Sequence, residues 1–257
     1  MSVEKLYELV ALRIGGDRPC QLEPGLICSA GVHLRERGRQ ADRVCRCPAA
    51  LRAEARARID EDVARLRGLV QKVNATGGFG LFGYDPRRHP MAEAALEATW
   101  DFCDGRPPTR GLLLAGPLGL GKTRLLLGSH IELLCAGVNS RFVLSSELRE
   151  IFRDAQSFDE DVHRPARLEL ERLRQAQVIH WDDVGDVDGD ERARGVFVEG
   201  IKRLLDTSVA TWALTTNLTA VQFASHKDLG EKVLSRVLSG ARAIRLEGGD
   251  QRLVPLD

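Results

Sequence analysis

The residues best suited to chemistry run from Gly116 to Thr123, GPLGLGKT, and fit the pattern GxxxxGK[ST] at every fixed position. Glycines at 116, 119 and 121 allow backbone angles that a Cβ forbids, so several N–H groups can converge on phosphate oxygens at the positive end of a following helix. Lys122 supplies positive charge for the β and γ phosphates, and the Thr123 hydroxyl supplies a ligand for Mg2+. Gly116, Pro117, Gly119, Leu120, Gly121, Lys122, Thr123 and Arg124 are therefore expected to hold a nucleotide, with Lys122 also catalytic. A glycine-rich turn with no such role would need no Lys-Thr pair at this offset.

A pair of carboxylates follows about sixty residues later, in Val178-Ile179-His180-Trp181-Asp182-Asp183, as expected of a Walker B element. Asp182 is expected to hold the Mg2+ ion, mostly through water, and Asp183 to orient or deprotonate an attacking water. The competing explanation is a turn, since Asp186, Asp188, Asp190 and Glu191 follow, whereas His180 and Trp181 are explained by packing. Asn217 closes the run Thr215-Thr216-Asn217, where it either aims its amide at a γ-phosphate or lytic water, or forms a turn. Arg236 stands on a helical stretch, Glu231 to Leu238, where it either reaches a neighbouring subunit's nucleotide as an arginine finger or makes a surface ion pair.

A different chemistry is suggested by Cys20, Cys28, Cys45 and Cys47, four of the six cysteines, in the first fifth of the chain. The spacing is looser than paired CxxC motifs, yet four thiolates can close a tetrahedral Zn2+ site, with His33 as a substitute ligand. Pro48 suits the first turn of a helix, whose N–H groups would favour a thiolate at Cys47. Cys103 and Cys135 stand apart in helix-like surroundings and read as small buried hydrophobes.

The elements that must position these groups follow from periodicity. Leu51, Ala55, Ile59, Val63, Leu66, Val70 and Val73 recur every three or four residues, which predicts a long amphipathic helix with a charged outer face. The glycine-rich stretch from Asn74 to Gly80 ends it, placing a boundary between a domain of residues 1–78 and one of 79–257. Beyond it, helices are predicted at Met91 to Cys103, Lys122 to Ala136, within Ser146 to Ala176, at Glu191 to Leu205 and at Asp228 to Leu238. Strands are predicted at Gly111 to Ala115, Arg141 to Leu144, Val178 to Trp181, Thr211 to Thr215 and Ala243 to Leu246. Such alternation implies an α/β fold, a parallel sheet with helices on both faces and a ligand at its carboxyl edge.

Composition narrows the classes. With 43% hydrophobic residues the 257-residue chain can bury a core, and with Lys+Arg and Asp+Glu both at 37 its net charge selects no partner. No apolar run approaches the ~20 residues of a membrane span, and Met1 to Val10 carries acidic residues where a signal peptide is apolar. The protein is expected in the cytoplasm, without a membrane partner, where the cysteines stay reduced.

The ordered set of strand, GPLGLGKT, strand ending in DD, TTN and VLSRVLSG resembles the AAA+ ATPases of the DnaC/DnaI helicase-loader and IstB group over roughly Phe79 to Leu246. The resemblance implies an AAA+ P-loop NTPase domain without a C-terminal lid, using ATP and Mg2+, with Asn217 as sensor 1 and Arg236 as a finger acting in a homo-oligomer. It implies that the stretch from Ser146 to Ala176 is similar to an initiator-type helical element touching single-stranded DNA, with Arg149, Arg153 and Arg164 as candidates. It also implies that the cysteine segment is similar in position to a zinc-containing helical domain that grips a hexameric replicative helicase. Asp183 stands where Glu is common among AAA+ proteins, which implies slow hydrolysis, stimulated by oligomerisation, DNA or partner.

The expected function is ATP-dependent loading of a replicative helicase onto single-stranded DNA, with ATP binding and hydrolysis as a switch. The alternative within the group is an IstB-like ATPase assisting a transposase, against which the cysteine cluster argues. A small-metabolite kinase is disfavoured by the Asp182-Asp183 strand end and Asn217, and a non-hydrolysing ATP-binding adaptor stays open because Asp183 is assigned by position.

Overall fold

A computed structural model of the protein describes residues 48–66, 68, 69, 71, 81, 84–104, 110–185, 191–219, 222, 235 and 240–249. Cys20, Cys28, His33, Cys45 and Cys47 lie outside the described residues, as do Arg236, the boundary stretch 74–80 and nearly all of the helix expected at Asp228 to Leu238.

The strands are β1 (Leu112–Ala115), β2 (Ser140–Leu144), β3 (Val178–Asp182), β4 (Thr211–Thr216) and β5 (Arg242–Arg245). The helices are α1 (Pro48–Arg65), α2 (Ala92–Asp104), α3 (Lys122–Cys135), α4 (Ser145–Asp154), α5 (Glu160–Arg174) and α6 (Glu191–Thr207). The strands form one parallel sheet in the order β2-β3-β4-β1-β5. Apolar residues alternate across it, as the period of two along a strand requires. Leu112, Leu114, Phe142, Val178 and Ala213 face a core shared with α1, α2 and α3. Leu113, Val143, Ile179, Trp181, Trp212 and Leu214 face a second core shared with α4, α5 and α6. The result is a helix, sheet, helix sandwich in which the buried strands read as continuous apolar runs.

Registers decide what meets at the carboxyl edge. Leu114 and Ala115 of β1 lie opposite Thr215 and Thr216 of β4, and Trp181 of β3 lies opposite Leu214. The three strands thus end level, and GPLGLGKT, the two acids and TTN emerge side by side.

The stretch from Ser146 to Ala176 is two helices. Glu147 accepts the Leu144 N–H at 2.9 Å to start α4, and Asp159 accepts the Asp161 N–H at 3.0 Å to start α5. Phe152 of α4 lies flat on α6 because Gly200 has no Cβ; one there would stand 2.4 Å from the phenyl ring.

The helix assigned by sequence to the amino-terminal part packs on the core beside α3. Ala55, Ile59 and Leu66 share a buried cluster with Leu125, Leu126 and Leu133 of α3; the helix runs from Pro48 to Arg65, residues 68, 69 and 71 are helical again, and Val70 and Val73 lie outside the described residues. A buried polar chain fastens it. Asp62 Oδ2 meets His130 Nε2 at 2.9 Å, His130 Nδ1 meets Ser140 Oγ at 2.8 Å, and Ser140 Oγ meets His180 Nδ1 at 3.1 Å. An ionised carboxylate only accepts, so His130 Nε2 donates to it; with both rings neutral, Ser140 donates to His130 and His180 Nδ1 donates to Ser140. Burial opposes charge on Asp62, but the His130 hydrogen bond and the Arg65 guanidinium hold its carboxyl well below the usual range. Arg65 Nη2 reaches Asp62 at 2.7 Å and Phe142 O at 2.6 Å, while Nη1 reaches Glu147 at 2.7 Å.

Candidate nucleotide-binding site

The loop after β1 is shaped by glycines. Gly119 and Gly121 have φ of 81° and 80°, and Gly116 has φ of 147°. A Cβ on Gly116 would lie 2.4 Å from Leu246 O, and one on Gly121 would lie 2.8 Å from Tyr84 Cε2. The loop is therefore pressed between the end of β5 and Tyr84, with Gly121 opening α3.

Lys122 is buried and arches back over the loop, donating from Nζ to Gly116 O at 2.7 Å and Pro117 O at 2.6 Å. These carbonyl oxygens hold the ammonium over the loop that phosphate oxygens would fill. Leu120 is buried, and its carbonyl lies 3.2 Å from both Tyr84 Oη and His89 Nε2. Burial pushes the Tyr84 phenol up to about 12, so it remains a neutral donor. Arg124 is buried with its guanidinium 5.8 Å from the Tyr84 ring centre, so it is stacked beneath the loop. Tyr84 and His89 carry no motif, and their support of the loop is invisible in the sequence.

Asp182, the last residue of β3, is 4% exposed. Its Oδ1 accepts from Thr123 Oγ1 at 3.1 Å and Thr215 Oγ1 at 2.5 Å. Burial pushes its carboxyl up to about 6, against the Thr215 and Thr123 hydrogen bonds and the Lys122 charge, while Asp183 adds to the rise. Asp183 has φ of 60°, the one non-glycine residue with positive φ among those described. Its N–H donates to Thr215 Oγ1 at 2.8 Å, and its Oδ1 accepts from Asn217 Nδ2 at 2.6 Å. Behind the acids, Ser145 Oγ lies 3.2 Å from Asp182 O and 2.8 Å from Asp183 O, and accepts the Trp181 indole N–H at 2.8 Å.

The structure thus brings together Gly116 to Arg124, Asp182, Asp183 and Asn217, and Asn217 lies against Asp183. His180 and Trp181 pack and hydrogen-bond within the protein: Trp181 stacks edge-on near Phe197 and Trp212, and His180 meets Ser140. Arg149 and Arg153 line a groove of about 550 Å³ with Arg192, and Arg164 is exposed on α5. Cys103 and Cys135 are buried thiols, and no group of three or more His, Cys, Asp or Glu among the described residues could hold a metal.

The residues fit a magnesium nucleotide. A glycine loop packed too closely on Leu246 and Tyr84 to admit two Cβ atoms stands beside a buried lysine, and a hydroxyl and a carboxylate offer the hard oxygens that Mg2+ takes. The buried Asp182 carboxylate, whose ionisation burial opposes, is where a cation would restore balance.

Parallel sheet, strand order and loop together define an AAA+ P-loop nucleoside-triphosphatase fold. The structure of a DnaC helicase loader matches with a TM-score of 0.55 at 20% identity, over 65% of this chain and 96% of that one. DnaI matches with 0.51 at 23% identity, over 68% and 90%. AMPPCP-bound DnaA from Aquifex aeolicus matches with 0.50 at 15% identity, over 68% of this chain and 52% of that one. These likenesses concern the fold. No protein-family model and no curated protein sequence matches the chain. No helix among the described residues is long and apolar enough to cross a membrane.

Proposed function

We propose that the protein is an ATPase of DNA replication initiation that loads a replicative helicase onto single-stranded DNA, with ATP binding and hydrolysis as its switch. The observation that carries the reading is the meeting of Thr123 and Asp182 at 3.1 Å beside the Lys122 loop, in a chain folded like the helicase loader and like DnaI. Bound Mg2+ supplies charge neutralisation at the phosphates. Lys122 exchanges its carbonyl acceptors for phosphate oxygens, Asp182 holds the cation's side of the site, and Asp183 accepts a proton from the attacking water. Arg236 serves a neighbouring subunit's site in a homo-oligomer, and Arg149, Arg153 and Arg164 contact single-stranded DNA. The segment holding Cys20, Cys28, Cys45 and Cys47 binds zinc and grips the helicase.

Capture of a hexameric replicative helicase by the full chain tests this reading. ATP should alter capture, and a full-length Cys45→Ser, Cys47→Ser variant should lose it. Capture of a transposase in its place would assign the protein to the IstB-like alternative. Removing residues 1–78 would be a poor test, because it deletes Ala55, Ile59, Asp62 and Arg65 from the core of the ATPase.

A further inference from the structure

The end of β4 presents three polar side chains to the turn after β3. Thr215 is almost completely buried, at 1% exposure. Its hydroxyl has one proton and two lone pairs, and both capacities are committed: the proton goes to Asp182 Oδ1 at 2.5 Å, and a lone pair takes the Asp183 N–H at 2.8 Å. Its carbonyl accepts the Val184 N–H at 2.8 Å, so the backbone beneath the hydroxyl is tied to the same turn. Thr216 points to the other side and donates to Val184 O at 2.6 Å. Asn217, two residues on, holds the Asp183 carboxylate.

These bonds converge on an awkward piece of backbone. Asp183 sits at φ of 60°, a region L residues other than glycine seldom adopt, and such a conformation persists only where its surroundings over-determine it. Thr215 restrains its amide and Asn217 its carboxylate. The Thr215 proton also fixes one oxygen of the neighbouring acid, the oxygen that Thr123 approaches.

We propose that Thr215 is a positioning residue of the nucleotide site: one hydroxyl sets the rotamer of Asp182 for a divalent cation and pins Asp183 in its strained turn. The proposal rests on the ATPase reading for its reaction, but its consequence for the cation does not need turnover. A side chain that only stapled β4 to β3 would affect stability and leave the cation requirement alone. A residue that orients the carboxylate moves that requirement, as outer-shell partners of metal ligands do.

The test uses the full chain as wild type, Thr215→Val and Thr215→Ser, with binding of a fluorescent ATP analogue followed as Mg2+ is titrated, and again in EDTA. Thr215→Val keeps the side-chain volume and should bind the analogue in EDTA like the wild type. It should need roughly tenfold more Mg2+ for half-maximal effect and hydrolyse ATP at least about tenfold more slowly. Thr215→Ser should recover most of both. Should Thr215→Val fail to fold, Thr215→Cys, similar in size with a weaker donor, is put through the same titration. An unchanged Mg2+ midpoint in the hydroxyl-lacking variant overturns the proposal, and so does a Thr215→Ser variant as impaired as Thr215→Val. A wild type that binds the Mg2+ nucleotide without hydrolysing it overturns the ATPase reading instead, and the titration still decides Thr215.

Discussion

Replacing Asp62 by Ala tests whether α1 is an integral part of the core that carries the phosphate loop. Asp62 is 6% exposed and serves two partners, His130 Nε2 at 2.9 Å and Arg65 Nη2 at 2.7 Å. The losses are unequal. Arg65 retains Glu147 and Phe142 O, so its share is small. His130 is fully buried and would keep an N–H with no acceptor, which costs about 1–3 kcal/mol. Losing the partly exposed Arg65 pair as well brings the expected total to about 3 kcal/mol. For a core of this size, about 2–4 °C per kcal/mol places the fall in thermal midpoint at roughly 6–12 °C. Asp62→Asn keeps an acceptor for His130 and should lose only about 1 kcal/mol. Urea unfolding of the full chain, followed by tryptophan fluorescence, measures this through Trp181 and Trp212, which are buried in the opposite core. A double variant with His130→Phe should cost at least about 1 kcal/mol less than the sum of the singles. An Asp62→Ala protein within about 0.5 kcal/mol of wild type would refute the reasoning, since only sites without such a feature change so little.

Lys122→Ala should abolish binding of a fluorescent ATP analogue without lowering the thermal midpoint, and retained affinity would remove the central claim. Gly116→Ala should destabilise the protein and weaken nucleotide binding, because its Cβ would stand 2.4 Å from the backbone oxygen of Leu246; an unaltered melt would contradict that geometry. Burial, with His130 beside it, pushes the His180 imidazole well below its ordinary 6.5, so the unfolded chain binds a proton that the native protein refuses. Stability from His180 is therefore complete above pH 6.5 and falls below it, by about 1.4 kcal/mol per pH unit relative to His180→Phe; parallel pH profiles would contradict this. The raised Asp182 acts in the opposite direction as pH falls from 6, and cancels in that comparison. Metal analysis of the full chain should find about one zinc, and a metal-free folded protein would end the zinc assignment of Cys20, Cys28, Cys45 and Cys47.

The parts of the site legible in sequence are those whose chemistry demands a fixed local spacing. GPLGLGKT must keep its glycines and its Lys-Thr pair within one turn, so the loop, β1 and α3 could all be read from one stretch. The ends of β3 and β4 are legible to within one residue, expected at Trp181 and Thr215 and found at Asp182 and Thr216, because apolar runs stop there. Contacts between distant segments leave no such trace. The contact of the Asn217 amide with Asp183, at 2.6 Å, is one of these. Thr215 stood in the quoted TTN triplet with no role, because its role depends on β4 pairing with β3.

Sequence alone determined the α/β class, the phosphate loop and the order of acids and amide, since periodicity and short-range stereochemistry set these before the chain folds. Tertiary structure decided the rest. Parallel register made three strand ends level, which put Thr123 and Thr215 on one carboxylate oxygen of Asp182. Burial made Asp62 and His180 matter, because a polar group far from water depends on the partner packing supplies. That is why α1, read from sequence as part of the 1–78 domain, is held to the core by contacts that leave no trace in the sequence: buried Ala55, Ile59 and Leu66, the hydrogen-bond chain from Asp62, and Arg65 on Phe142 O and Glu147.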